Sequence, residues 1–238
     1  MDTFKLRWIH VCPLVIGLSF VVGRYVPAFY DWTGSDQSRP SPLILPTAAG
    51  LVLLWIVACS VLPWLPMVDD RPAAFRLGKV QFTIRKLLVT TAVAAVLLAV
   101  LRQWPMAVGG GLLAISLGSV VPIWFLFPQV RWQAASLLAC MYFPFAWLVS
   151  YDELGSFSPA MIWMAAGLSA FFPTVLISSL VRQHFENLVW LSMLLSGVEL
   201  GLGLWIIRLG PRRTIAYLLF VLLVSTFGSF VLNALVRM

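Results

Sequence analysis

Residues 188–207 read LVWLSMLLSGVELGLGLWII, and this stretch decides the fold class. About 20 predominantly apolar residues in a helix are enough to cross the hydrocarbon core of a bilayer. The stretch carries a single ionisable residue, Glu199. A carboxylate in hydrocarbon is costly, so an ionisable residue there marks a candidate functional site. The stretch therefore predicts a transmembrane helix with one group capable of chemistry.

Composition extends this prediction to the whole chain. Of the 238 residues, 61% are hydrophobic and 11% are charged, whereas a soluble domain carries about 25% charged residues. The net charge of +7 comes from sixteen Lys and Arg. They lie almost entirely at the ends of apolar runs, which is the pattern of the positive-inside rule and not of a phosphate-binding patch. The sequence predicts a single integral membrane domain over residues 1–238, and no nucleic-acid partner.

The apolar runs predict an all-α fold, a polytopic transmembrane helical bundle of about eight spans. The runs lie at 8–29, 43–67, 84–102, 106–128, 133–150, 159–181, 188–207 and 214–236. Several contain an interior proline, namely Pro63, Pro122, Pro144 and Pro173. Neighbouring helices in a bundle can satisfy the freed carbonyls, so each proline predicts a kinked helix and not a broken one.

The distribution of Lys and Arg predicts a cytoplasmic N-terminus. In that orientation ten of the sixteen lie at the inside ends of the spans and six at the outside ends, the excess that the positive-inside rule requires. The loop 208–213 is an exception, because its three arginines fall outside. Either this local bias is overridden and both termini are inside, or one weak segment is re-entrant. The second alternative leaves seven spans and an outside C-terminus.

A basic linker at residues 69–86, DDRPAAFRLGKVQFTIRK, is the longest hydrophilic stretch on the predicted cytoplasmic side. Each basic residue near an anionic leaflet contributes about 1 kcal/mol of attraction. The linker is therefore a candidate docking site for lipid headgroups or a partner, and the alternative is a topology anchor. Its basic residues are Arg71, Arg76, Lys79, Arg85 and Lys86.

Two stretches resemble a known group of proteins. Residues 82–88 match the helix-start motif F-[ST]-[IL]-R-x-L-L, and residues 198–230 read VELGLGLWIIRLGPRRTIAYLLFVLLVSTFGSF. Both are similar to uncharacterised inner-membrane proteins of planctomycete-type bacteria, over about a third of the chain. The resemblance implies a multi-pass protein of the bacterial inner (cytoplasmic) membrane with a cytoplasmic basic linker. It implies no activity.

The segment around Glu199 has two distinct faces. At 100° per residue, Ser192, Ser196, Glu199 and Gly203 fall on one polar, small-residue stripe. Gly197 and Gly201 form a GxxxG pair that points nearly the opposite way, and such pairs let helix backbones approach closely. We therefore expect the two faces to pack against different neighbours.

The last segment carries a second stripe of polar residues at helical spacing. Because the turn near residues 208–213 makes the last two segments an antiparallel hairpin, we expect this stripe to pair with the stripe of Glu199. Counting from the turn, Ser225 comes level with Glu199, and the remaining pairs follow. The predicted polar seam consists of Ser192, Ser196, Glu199, Ser225, Ser229 and Asn233.

The seam allows three interpretations. A protonatable carboxylate at bilayer depth could relay protons or bind a cation. Alternatively, Glu199 is protonated and only hydrogen-bonds to a serine across the seam, which contributes about 0.6 kcal/mol on average. In the third interpretation Glu199 lies shallower and reaches water. The structural interpretation, in which Glu199 joins helices, is favoured.

No other residues form a convincing chemical site. Asp152 and Glu153 are adjacent in a loop, but two loop neighbours share one environment, and acid–base pairs need different ones. Cys12, Cys59 and Cys140 lack paired spacing, and His10 and His184 are isolated. We therefore predict no catalytic residue, disulfide, metal or cofactor.

These observations favour a non-enzymatic inner-membrane component, either structural or partner-binding. Its expected partners are anionic membrane lipids, together with another protein or a second copy of the chain. The alternative is a small secondary transporter or proton-coupled carrier that uses Glu199. A membrane-embedded enzyme ranks third.

Overall fold

The structure is a computed structural model. It describes residues 7–34, 53, 56–58, 60–65, 67–69, 84–145, 167–181 and 189–236. Within these ranges the chain is helical and contains no β-strand, so the predicted all-α class is confirmed. The helices with both ends described are α1 (Trp8–Gly34), α2 (Ile84–Gln103), α3 (Pro105–Leu126), α4 (Arg131–Tyr142), α5 (Phe171–Val181), α6 (Val189–Ile207) and α7 (Pro211–Val236), with 3-10 turns at Leu62–Trp64 and Phe143–Phe145. Further helical residues lie at 53, 56–58, 60–61 and 167–168.

Four helices in the described part of the chain are long and apolar enough to cross a membrane. They lie at Trp8–Val26, Pro105–Leu126, Val189–Ile207 and Pro211–Asn233. Phe171–Leu180 is apolar but shorter. These helices indicate a membrane-embedded protein, as predicted. The predicted count of about eight spans is not confirmed, since four candidate spans are found among the described residues.

Two prolines mark helix starts, and one glycine forms the turn between the last two helices. Helices α3 and α7 both begin at a proline, where the fixed φ fits a helix and the missing N–H would have had no partner. Between α6 and α7 the chain turns at Gly210, whose φ of 149° favours glycine. The short turn makes α6 and α7 an antiparallel hairpin, which confirms that part of the prediction.

Helix α6 packs most extensively against α3, which is distant in sequence. A Cβ added at Gly197 would lie 2.9 Å from the backbone nitrogen of Leu113, and one added at Gly109 would meet the carbonyl oxygen of Trp190. Ser116 Oγ, on α3, donates to the carbonyl oxygen of Gly197 at 2.8 Å. The GxxxG face of α6 therefore makes the close backbone contact that its glycines predict, and it makes it with α3.

The other large contact surface joins α1, α4 and α7. Fully buried aliphatic side chains from these helices form one core, with Val15, Leu137 and Leu222 among them. The turn Phe143–Phe145 extends this surface, since a Cβ added at Gly23 of α1 would meet the carbonyl of Phe143. The bundle therefore has two packed regions, α3 with α6 and α1 with α4, and α7 contacts both α6 and the second region.

Most of the basic linker lies outside the described residues. This applies to Arg71, Arg76 and Lys79. Arg85 and Lys86 belong to the first turn of α2, but their side chains are not described. The acidic pair at 152 and 153 also lies outside it. The docking prediction for the linker therefore stays a prediction.

Candidate functional site

The polar stripe of α6 lies in the interior of the bundle. Ser196 is fully buried, Ser192 is 3% exposed and Glu199 is 9% exposed. Gly203 completes the stripe, and a Cβ there would meet the Leu137 side chain. The predicted stripe is thus confirmed as one buried face of the helix, opposite the face that contacts α3.

The partner of this stripe is the short segment 167–170, which precedes α5. Ser169 Oγ lies 2.8 Å from Glu199 Oε2 and 3.0 Å from Ser196 Oγ. Ser196 Oγ also accepts from the backbone N–H of Ala170, at 3.2 Å. The carbonyl oxygen of Gly167 accepts from both Ser192 and Ser196. We call this group the serine–glutamate network, and it consists of Gly167, Ser169, Ala170, Ser192, Ser196 and Glu199.

Segment 167–170 coincides with a helix break that is explained by Pro173. A proline has no N–H, so the carbonyl of Ser169, four residues earlier, loses its helical donor. The chain forms a turn at Ser169 and Ala170, and α5 begins at Phe171. The sequence analysis predicted a kinked continuous helix here. That prediction was wrong, because Ser169 and Ala170 form a turn between helical residues on either side. The Ser169 hydroxyl and the Ala170 amide of this turn bond to α6.

Helix α7 contributes one bond to the same region. The hydroxyl of Tyr217 donates to the backbone carbonyl oxygen of Glu199 at 2.6 Å. Tyr217 is half-buried, and its ring lies against that of Phe220. This bond fixes the level at which α7 passes Glu199.

The polar stripe of α7 does not pair with that of α6 as predicted. Ser229 Oγ donates to the carbonyl oxygen of Pro144 at 2.6 Å, and Asn233 Nδ2 donates to the carbonyl of Ser229 at 2.9 Å. Ser225 Oγ and Asn233 Oδ1 are enclosed and have no hydrogen-bond partner among the described residues. The predicted pairing is therefore corrected: Ser192, Ser196 and Glu199 bond to segment 167–170, and the α7 stripe is a separate group.

The reason lies in the packing of α7. The hairpin places α6 and α7 side by side, but it does not determine which face of α7 packs against α6. Helix α7 also packs against α1, α4 and the turn Phe143–Phe145. The bond from Ser229 to Pro144 shows that its polar stripe is turned toward that turn.

A groove of about 320 Å³ lies between α5, α6 and α7 beside the carboxyl group of Glu199. Its surface is almost entirely apolar. Leu176, Leu202 and Phe220 are about half exposed, at 48%, 46% and 55%, so the groove is open on its outer side. We call it the Glu199 groove, and it is lined by Ala170, Phe172, Pro173, Leu176, Leu195, Val198, Glu199, Leu202, Tyr217, Phe220 and Val224.

Sequence reasoning missed Gly167, Ser169, Ala170 and Tyr217. A signal for Ser169 existed in the sequence SAFFP at 169–173, where a serine stands four residues before a proline. The carbonyl freed by that proline indicates a local break, and a hydroxyl at the same residue is a ready partner for a buried acid. No comparable pattern identifies Tyr217, since an aromatic residue in a span is usually a packing residue.

The site can hold and redirect a proton, but its residues offer little else. Within the described ranges, no group of three His, Cys, Asp or Glu could hold a metal ion. No basic side chain pairs with Glu199 among those residues either. Ser169 and Ser196 supply rotatable hydroxyls, and the Gly167 carbonyl supplies an acceptor.

Comparison with known proteins adds no assignment. The chain finds no match among protein-family models, curated proteins or solved structures.

Proposed function

We propose that this protein is a non-enzymatic, multi-pass component of a bacterial inner membrane, with a structural or partner-binding role. One observation carries the proposal: the carboxyl group of Glu199 is bound by Ser169 within the bundle, where it joins α6 to the start of α5. Tyr217 and Ser116 likewise join helices to one another. Of the predicted seam residues, Ser192, Ser196, Glu199 and Ser229 each bond to a segment distant in sequence, which supports a role in assembly.

The proposed topology is about eight spans with a cytoplasmic N-terminus. Its support is the excess of Lys and Arg at the predicted inside ends. In this topology the linker 69–86 lies on the cytoplasmic face, and Arg71, Arg76, Lys79, Arg85 and Lys86 contact anionic headgroups. The resemblance of residues 82–88 and 198–230 to planctomycete-type inner-membrane proteins supports the same location.

The partner-binding role is tested by extracting the tagged full-length chain from bacterial membranes in native nanodiscs. We expect a stoichiometric complex with a second protein or a second copy, visible by native mass spectrometry. An unrelated polytopic protein with the same tag, expressed at the same level, is the control. A strictly monomeric chain that carries Glu199-dependent flux would contradict the proposal.

A second function, a proton-coupled carrier, is favoured by the position of Glu199 at the wall of an open groove. It is tested in proteoliposomes that enclose a pH-sensitive dye. A carrier shows a pH-sensitive flux that Glu199→Gln abolishes and that Gly111→Ala, a change in open space on α3, leaves intact. Under the leading proposal wild type and both variants give the same passive leak.

A further inference from the structure

The serine–glutamate network can be assigned hydrogen by hydrogen. The Ser169 hydroxyl has one hydrogen, but it lies within bonding distance of both Glu199 Oε2 and Ser196 Oγ. It can donate to one of them and must accept from, or merely face, the other. Ser196 donates to the Gly167 carbonyl, so Ser196 Oγ is free to accept.

One arrangement of the hydrogens places one hydrogen in every hydrogen bond of this network. The carboxyl group carries its hydrogen on Oε2 and donates it to Ser169. Ser169 then donates to Ser196, which also accepts from the Ala170 amide, and Ser196 donates to Gly167. With a carboxylate, Ser169 donates to Oε2, and Ser196 can donate to Ser169 or to Gly167 but not to both, so the network makes one hydrogen bond fewer. The carboxylate would also stand beside apolar side chains with no cation bound to it among the described residues, which is costly in hydrocarbon.

The neutral assignment leaves Oε1 as a carbonyl-type acceptor. Oε1 accepts no hydrogen bond from the described residues, whereas Oε2 is bonded to Ser169. The Glu199 side chain lines the Glu199 groove and keeps 9% of its surface exposed. The groove thus combines apolar walls with a residue whose second carboxyl oxygen has no partner among the described residues, and apolar walls with few polar groups are usual for a small-molecule site.

The walls and the size of the groove indicate the shape of the occupant. Its volume of about 320 Å³ falls at the lower end of the range of roughly 300–1,000 Å³ for ligand sites. Three of the lining residues, Phe172, Tyr217 and Phe220, are aromatic, and aromatic side chains prefer offset or edge-on contacts with another ring. The exposed Leu176 and Leu202 at the outer side leave the groove open to a molecule dissolved in the bilayer.

We propose that the Glu199 groove binds a lipid-soluble phenol, whose ring lies against Phe172 and Phe220 and whose hydroxyl donates to Glu199 Oε1. An acyl chain would fill the groove but leave the acceptor unpaired. An ammonium group would require a charged carboxylate, which the hydrogen count disfavours. This binding does not depend on the structural or partner-binding role proposed above.

The test uses the purified full-length chain in nanodiscs and a diazirine derivative of an alkylphenol, with labelled peptides located by mass spectrometry. Labelling should fall on residues that line the groove. Unlabelled 4-octylphenol should compete about fivefold better than its methyl ether, because the ether lacks the donor and about fivefold is the usual net effect of one hydrogen bond. Equal competition by phenol and ether would overturn the proposal.

Variants test the same site independently. Glu199→Leu should abolish the difference between phenol and ether, and Glu199→Gln should restore it, since an amide also donates to Ser169 and presents a carbonyl oxygen. Val198→Trp should block labelling by filling the groove, and Ile115→Trp, at an exposed position of α3, should not. Each variant must elute as wild type. Loss of binding in Glu199→Gln would indicate a required carboxylate and overturn the proposal.

Discussion

Ser169 and Glu199 are thirty positions apart in the sequence, yet Ser169 Oγ lies 2.8 Å from Glu199 Oε2 in the interior of the bundle. The serine belongs to a turn that Pro173 produces, and the glutamate belongs to an unbroken helix. The buried acid, which is costly alone in hydrocarbon, thus finds its partner in a side chain at a helix break. Four predictions test this arrangement and its surroundings.

Ser169→Ala should destabilise the protein by about 1–3 kcal/mol, because it leaves a buried carboxyl group without its partner. The measurement is the free energy of unfolding in mixed micelles, from a reversible SDS titration followed by circular dichroism. Ser179→Ala is the matched control, since Ser179 is exposed on α5 and bonds only to Leu176 of its own helix. Equal effects of the two changes would mean that the bond between Ser169 and Glu199 does not contribute to the free energy of unfolding.

Gly197→Ala should destabilise the protein by about 1–3 kcal/mol, the usual cost of overpacking. The new Cβ would lie 2.9 Å from the Leu113 backbone nitrogen, which cannot yield as a side chain can. At Gly111 a Cβ meets nothing within 4 Å, so Gly111→Ala should be neutral or stabilise by up to about 1 kcal/mol through helix propensity. The thermal unfolding midpoint should therefore fall for Gly197→Ala. For Gly111→Ala it should rise or stay unchanged. A neutral Gly197→Ala would rule out the close contact.

Ser229→Ala and Ser225→Ala should differ although both serines are fully buried on one stripe of α7. The first loses the bond to the Pro144 carbonyl and should cost about 0.6–1.7 kcal/mol, from the average to the maximum measured for such bonds in membranes. The second removes a hydroxyl that has no partner among the described residues, so stability should be unchanged or increase. The same SDS titration measures both. A larger loss for Ser225→Ala would contradict the separation of the two stripes.

Tyr217→Phe should weaken the hairpin by about 0.6 kcal/mol, because it removes the donor to the Glu199 carbonyl while keeping the ring. Tyr142→Phe is the comparison: Tyr142 is also half-buried, and no hydrogen bond to its hydroxyl occurs among the described residues. Hydrogen exchange of amides in α6 should rise near residue 199 in the first variant only. Unchanged exchange in Tyr217→Phe would show that the hydroxyl does not hold the two helices.

The sequence predicted the bounds of the helices better than it predicted which helices pack together. The segments predicted at 188–207 and 214–236 match Val189–Ile207 and Pro211–Val236 closely, because apolar length and polar ends determine helix bounds in a membrane. The buried stripe and the opposite glycine face of α6 also follow from helical geometry. The partner of Glu199 did not, because adjacency along the chain does not determine which faces of two helices meet. Helix α6 instead packs mainly on α3, and Ser169 lies in the turn that precedes Pro173.

The two contacts of α6 restrict how the protein can move. On one face Gly197 lies against the backbone of Leu113, and on the other Ser196 is bonded to the turn 167–170. A helix held on opposite faces cannot rotate about its axis without losing both contacts. The turn at Ser169 and Ala170 has already lost the helical donor that Pro173 lacks, so it bends at lower cost. If the bundle rearranges, we therefore expect the segment that begins at Phe171 to move relative to Val189–Ile207, which is held on both faces.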